Sequence, residues 1–147
     1  MMTASNKWMG IDFGLVRIGI AVSDPLGVLA RGLKTLTWNG RDESRVLDEL
    51  TDLIQSEAVI GVVMGRPNRT DGRQSAMIDR IEAFAQTLRQ RTGIPVLFRD
   101  ERYTTVIAAR KLHEQGLKAR RQRHKIDQAA ATVILQEHLD SCRKDQL

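Results

Sequence analysis

Cysteine is almost absent from this 147-residue chain. With Cys142 alone, an intrachain disulfide framework and a cysteine-built metal cluster are both excluded. That scarcity suits a reducing compartment, and a cytoplasmic location is expected. The opening residues, Met1 to Lys7, lack the apolar core of a signal peptide. The longest apolar stretch, Val59 to Met64, is far too short to cross a bilayer, so no membrane partner is expected. Internal repeats and low-complexity tracts are missing as well. The length suits one domain over residues 1–147, able to bury an ordinary core without staples.

Positive charge is what the chain has in excess. The net charge is +5, which points toward a polyanionic partner without specifying a fold. Its distribution is more telling. Arg110, Lys111, Lys118, Arg120, Arg121, Arg123 and Lys125 face only one acid, Glu114, between residues 110 and 125. Such clustering suggests nucleic acid, a solvated basic loop being the alternative.

The stretch from Met9 to Asp24 reads as two short strands around a tight turn. Met9, Ile11 and Phe13 alternate with Gly10 and Asp12, and Ile18, Ile20 and Val22 alternate with Gly19, Ala21 and Ser23. Gly14 lets the chain reverse through positive φ. Asp12 stands among apolar neighbours, where a carboxylate is costly unless paired, solvated or holding a cation. An Asx-turn opening the hairpin is the plainer alternative.

Val28 to Thr37 supplies a third strand, ended by Asn39-Gly40. Asp42 or Ser44 caps a helix whose apolar stripe is Val46, Leu47, Leu50, Leu53 and Ile54. Val59 to Met64 reads as a central strand parallel to the first, since strands buried on both faces are continuously apolar. The loop Gly65 to Arg73 follows, with Arg66, Arg69 and Arg73 placed to meet phosphates. Met77, Ile81, Phe84, Ala85 and Leu88 mark a second helix that stops at Gly93. Val96 to Phe98 is the last strand. A third helix begins near Tyr103 and runs toward Gly116, and a basic loop precedes a last helix over about His124 to Cys142. Its stripe is read as Ile126, Ala130, Ala131, Val133 and Ile134. The order β-β-β-α-β-α-β-α-α predicts an α/β mixed sheet with helices on both faces.

Three acids fall at element edges: Asp12 in the first strand, Glu101 after the last, and Asp127 early in the last helix. Each has an ordinary explanation alone, a helix-dipole contact for Asp127 and a surface pair with Arg99 or Arg102 for Glu101. Together they suggest one oxygen-lined site for Mg²⁺ or Mn²⁺ and metal-assisted phosphodiester hydrolysis.

Four blocks then carry a family resemblance: Met9 to Asp24, Gly65 to Gly72, Asp100 to Thr105 and His124 to Leu135. Together they resemble the YqgF (RuvX) family, whose members carry the names of Holliday junction resolvases and pre-16S rRNA nucleases. The resemblance covers nearly the whole chain, and four blocks in order are specific where each alone is weak. It implies a ribonuclease H-like fold, a nuclease site with Asp12, Glu101 and Asp127 as metal-binding acids, and weakly held Mg²⁺ or Mn²⁺. Arg17, Asn68, Asp71 and Gly72 match nearby family positions. Arg66 departs from the family, which commonly carries Leu there.

The nucleic-acid contacts expected on this reading are Arg17, Arg66, Asn68, Arg69, Arg73, Arg102, Lys118, Arg120, Arg121, Arg123 and Lys125. The favoured function is a metal-dependent nuclease in 5′-end processing of pre-16S rRNA during ribosome biogenesis, acting on structured RNA as a monomer or weak homodimer. A Holliday junction resolvase acting on DNA is the second reading and needs two sites about a two-fold axis. A non-catalytic nucleic-acid-binding module is the third. The phosphate hairpin of actin-like kinases is rejected, because the chain is too short for the second domain they need.

Overall fold

The hairpin expected at the start of the chain forms the middle of the sheet. The computed structural model describes residues 5–67, 75–100 and 119–145. Five strands, β1 (Trp8–Asp12), β2 (Arg17–Ser23), β3 (Ala30–Thr37), β4 (Gly61–Arg66) and β5 (Val96–Asp100), lie in the order β3-β2-β1-β4-β5. β1 pairs antiparallel with β2, and β2 with β3, while β4 runs parallel to both β1 and β5. The carboxyl ends of β1, β4 and β5 therefore share one end of the sheet, where α/β sheets usually bind ligands. Three helices are described: α1 (Glu43–Ser56), α2 (Ser75–Thr92) and α3 (Ala119–Asp145). The helix expected between Tyr103 and Gly116 lies outside the described residues.

The period of two sorts each strand between two cores. Met9, Ile11, Ile18, Ile20, Val22, Val62 and Met64 pack with Val46, Leu47, Leu50 and Ile54 of α1 and with Ile81, Phe84, Ala85 and Leu88 of α2. On the other face Ala21 and Val63 meet Ala131, Ile134, Leu135 and Leu139 of α3. Helices thus cover both faces, as expected. Burying each of the larger aliphatic side chains stabilises the fold by about 1.5–3 kcal/mol relative to exposure.

Local signals fall where the sequence puts them. The Asp42 carboxylate caps α1 by accepting from the Arg45 amide. Gly40 and Gly93 adopt φ of 75° and 72°, ending β3 and α2 in the left-handed region. Gly14 behaves differently from expectation. It is not among the glycines with positive φ; instead, a Cβ there would stand 2.4 Å from the Arg17 carbonyl oxygen. The turn needs glycine for close approach, and the Trp38 indole fixes it by donating to the Gly14 carbonyl at 2.7 Å.

Two expectations about the last helix need correction. α3 begins at Ala119, so Arg120, Arg121, Arg123 and Lys125 lie in its first two turns rather than in a loop before it. Its buried stripe is Ala131, Ile134, Leu135 and Leu139, rotated about one position from the predicted one, and Ala130 and Val133 are only half-buried. Counting back in helical steps from Ala131 and Ile134 puts Asp127 at the head of that stripe.

Candidate active site at the carboxyl end of the sheet

Asp12 is the last residue of β1 and lies directly opposite Gly19 of β2. Residues opposed across an antiparallel pair share a face, with Cβ atoms about 4.5–5.5 Å apart. A Cβ on Gly19 would stand 2.1 Å from the Asp127 carbonyl oxygen and 3.0 Å from the Asp127 Cβ. The Asp12 and Asp127 Cβ atoms are therefore neighbours within about 9 Å, although nearly the whole chain separates them. Both residues are half-buried.

The close approach comes from glycine on the sheet. Gly10 meets the Ala131 carbonyl oxygen and the Leu135 Cβ, at 2.6 and 2.8 Å from where its own Cβ would be, and Gly19 meets Asp127 in the same way. These two positions on adjacent strands form a trough in which α3 lies. On β4, Gly65 follows the α3-facing Val63 by two residues and so falls on the same face as Asp12.

Arg17 completes the described part of the site. It opens β2 two residues before Gly19, and its Nε donates to Asp127 Oδ2 at 2.8 Å. The two side chains are 28% and 20% exposed, so the pair is screened less than a surface pair but is not dry. Nothing local in the sequence announces this contact. Its signal is only an arginine and a glycine at alternate positions of one strand, a spacing that puts both on the face a helix must cover.

Other expected residues have varied placements. Arg66, at the end of β4, pairs with Glu82 of α2 at 3.2 Å and with Asp100 at 3.6 Å, and its guanidinium lies 4.8 Å from the Phe98 ring centroid. Its described contacts bind α2 to the end of β5, which suits a structural role for the residue that departs from the family pattern. Arg99 reaches Glu137 at 3.1 Å and Ser141 at 3.3 Å, tying β5 to α3. Asn68, Arg69, Asp71, Gly72, Arg73, Glu101, Arg102 and Lys118 lie outside the described residues. Among the described residues no three His, Cys, Asp or Glu side chains cluster as a metal site. No described helix is long and apolar enough to cross a membrane.

A five-stranded mixed sheet with three antiparallel strands, two further parallel strands and helices on both faces defines a ribonuclease H-like protein. Solved structures agree on the fold. Thermus thermophilus RuvC in complex with a Holliday junction substrate superposes with a TM-score of 0.64 at 15% identity, covering 95% of this chain and 96% of that one. The fowlpox virus resolvase in complex with Holliday junction DNA gives 0.54 at 10% identity, covering 92% and 98%.

The sequence fixes the family within that class. The model of the RuvX family, described as Holliday junction resolvase, matches residues 6–141, and the chain belongs to this family. A Moorella thermoacetica protein named "Putative pre-16S rRNA nuclease" is 44% identical over 90% of this chain and 93% of its own length. An Acetivibrio thermocellus protein of the same name is 42% identical over 90% and 94%.

Proposed function

We propose that this protein is a divalent-metal-dependent nuclease that hydrolyses phosphodiester bonds in structured RNA, in 5′-end maturation of pre-16S rRNA. The observation that carries the reading is the convergence of Asp12 and Asp127 on one face at the carboxyl end of β1. Two carboxylates from opposite ends of the chain, with Cβ atoms within about 9 Å of each other, favour a cation nearby. Arg17 supplies one such charge at Asp127. The donor set is oxygen only, which fits Mg²⁺ or Mn²⁺ rather than a soft metal. Asp12 and Asp127 would hold the ion, with Glu101, which follows Asp100 in the sequence, as the third acid.

The chemistry that bound ions of this kind supply is a hydroxide nucleophile and stabilisation of the leaving alkoxide. The chain's own part is positional. β1 and α3 fix the carboxylates, and Arg120, Arg121, Arg123 and Lys125, in the turns of α3 just before Asp127, bring the phosphate backbone to them. The same chemistry on a four-way DNA junction is the second reading, favoured by the family's description and the likeness to RuvC.

The test is single-turnover cleavage beside a binding isotherm for the parent and Asp12→Asn, on structured RNA, single-stranded RNA and a four-way DNA junction, with Mg²⁺ or Mn²⁺. Cleavage of structured RNA by the parent should fall by orders of magnitude in the variant, while metal-free RNA affinity holds or improves. Equal cleavage by both proteins would remove Asp12 from the site. Binding without cleavage by either would favour the non-catalytic module. Cleavage of the junction alone would favour the resolvase.

A further inference from the structure

We propose that Arg17 is an exchangeable counter-cation: it holds Asp127 until a divalent ion takes that carboxylate, and is then released to the phosphate of the nucleic acid. The inference rests on the nuclease reading and says how the site is regulated by its own arginine. Arg17 Nε lies 2.8 Å from Asp127 Oδ2, so it engages an oxygen that a metal would use. Its position is suited to both partners. It starts β2 on the α3 face, two residues from the point opposite Asp12, and its side chain remains 28% exposed.

A guanidinium and a divalent ion cannot share that oxygen without strong like-charge repulsion. A divalent ion taking that oxygen would therefore displace the arginine from Asp127. The planar guanidinium fork matches phosphate as well as it matches carboxylate. The freed arginine would then meet the phosphate backbone delivered to the site. No covalent step is involved; one ion pair is exchanged for another.

This exchange predicts opposite signs for one substitution. Removing Arg17 removes a competitor for the metal and a ligand for the phosphate. A salt bridge that only supports the fold predicts otherwise, since its loss would loosen Asp127 and weaken the metal site.

Mn²⁺ binding is measured by calorimetry without nucleic acid for the parent, Arg17→Ala, Arg17→Lys and Asp127→Asn. Binding of a structured RNA with phosphorothioate linkages is measured with Mg²⁺ across a salt series. Arg17→Ala should bind Mn²⁺ about three- to ten-fold tighter, as expected for release of one partly exposed ion pair. Its RNA affinity should fall and its salt slope shrink by about one. Arg17→Lys keeps the charge without the fork, so its metal affinity stays nearer the parent's. Asp127→Asn should weaken the metal.

Equal or weaker Mn²⁺ binding by Arg17→Ala would overturn the exchange. If the parent still binds Mn²⁺ and cuts RNA in that case, only the exchange is lost. If the parent takes no Mn²⁺ and cuts nothing, the nuclease reading falls with it. Should Arg17→Ala fail to fold, the arginine Nε–H resonances of the ¹⁵N-labelled parent decide. Saturating Mg²⁺ should shift the Arg17 signal and speed its hydrogen exchange, and an unmoved signal would refute the proposal.

Discussion

Replacing Gly19 by Ala perturbs the site through packing alone, without touching a charge. The added Cβ would stand 2.1 Å from the Asp127 carbonyl oxygen and 2.4 Å from its carbon, where real contacts essentially never fall below 3.0 Å. Both obstacles are backbone, so no rotamer change relieves the clash. β2 is held on both sides by β1 and β3, leaving α3 to retreat by roughly 1 Å, the shortfall of 2.1 Å from the 3.0 Å limit. Retreat loosens Ala131, Ile134 and Leu135 together and moves Asp127 away from Asp12.

Overpacking of this kind costs about 1–3 kcal/mol, so the melting temperature should fall by roughly 3–10 °C for a chain of this size. Gly10→Ala should cost a similar amount, since it also meets backbone, at 2.6 Å, while Gly32→Ala meets the flexible Gln128 side chain and should cost less. Urea unfolding of the three variants, with Mn²⁺ binding measured alongside, gives the ranking. Gly19→Ala at parental stability and metal affinity would mean that α3 does not rest on β2 as described. A loss at Gly32 exceeding that at Gly19 would refute the distinction between rigid and flexible obstacles.

Two further measurements probe the scaffold away from the acids. Ala58, just after α1, has φ of 56°, so Ala58→Gly should relieve left-handed strain and raise stability by up to about 1 kcal/mol; an unchanged or lower urea midpoint would contradict this. His138, with its ring centroid 4.5 Å from that of Trp8, is held below its ordinary pKa of 6.5 by burial first and by Arg99 second. As pH falls below that value the unfolded chain takes up the proton first, so stability is lost until the folded pKa is passed. His138→Gln should flatten this part of the stability–pH profile; a histidine titrating at 6.5 by NMR would remove the effect, and one titrating above 6.5 would reverse its sign.

Much of the scaffold was legible because its signals are local. Alternation in β1 and β2, the Asp42 cap, and the left-handed Gly40 and Gly93 each need only a few neighbouring residues to be read. The central place of β4, parallel to β1, is legible in its unbroken apolar run, which suits a strand buried on both faces. What the sequence leaves open depends on the partner surface. The start of α3 was hidden because a run of Arg and Lys is compatible with both loop and helix, and helix propensity for these residues is good. The stripe of α3 lies one position from the one expected, because its alanines occur in an unbroken triplet, Ala129 to Ala131, which gives no phase.

The site itself lies between these two kinds of information. Asp12 was conspicuous as a carboxylate in an apolar strand, yet its neighbour Asp127 had an adequate local excuse at the start of a helix. What joins them is the absence of side chains at Gly10 and Gly19, which lets a helix backbone come within reach of the sheet. Glycine inside a strand buried on both faces weakens that strand, so it calls for a compensating contact. Here the compensation is α3, and the residue that the closest approach brings in is an acid, already paired with an arginine from the same strand. A bulkier residue at position 19 would serve the sheet better and separate the acids. The glycines are therefore to be read as part of the site, although neither carries a group that could bind anything.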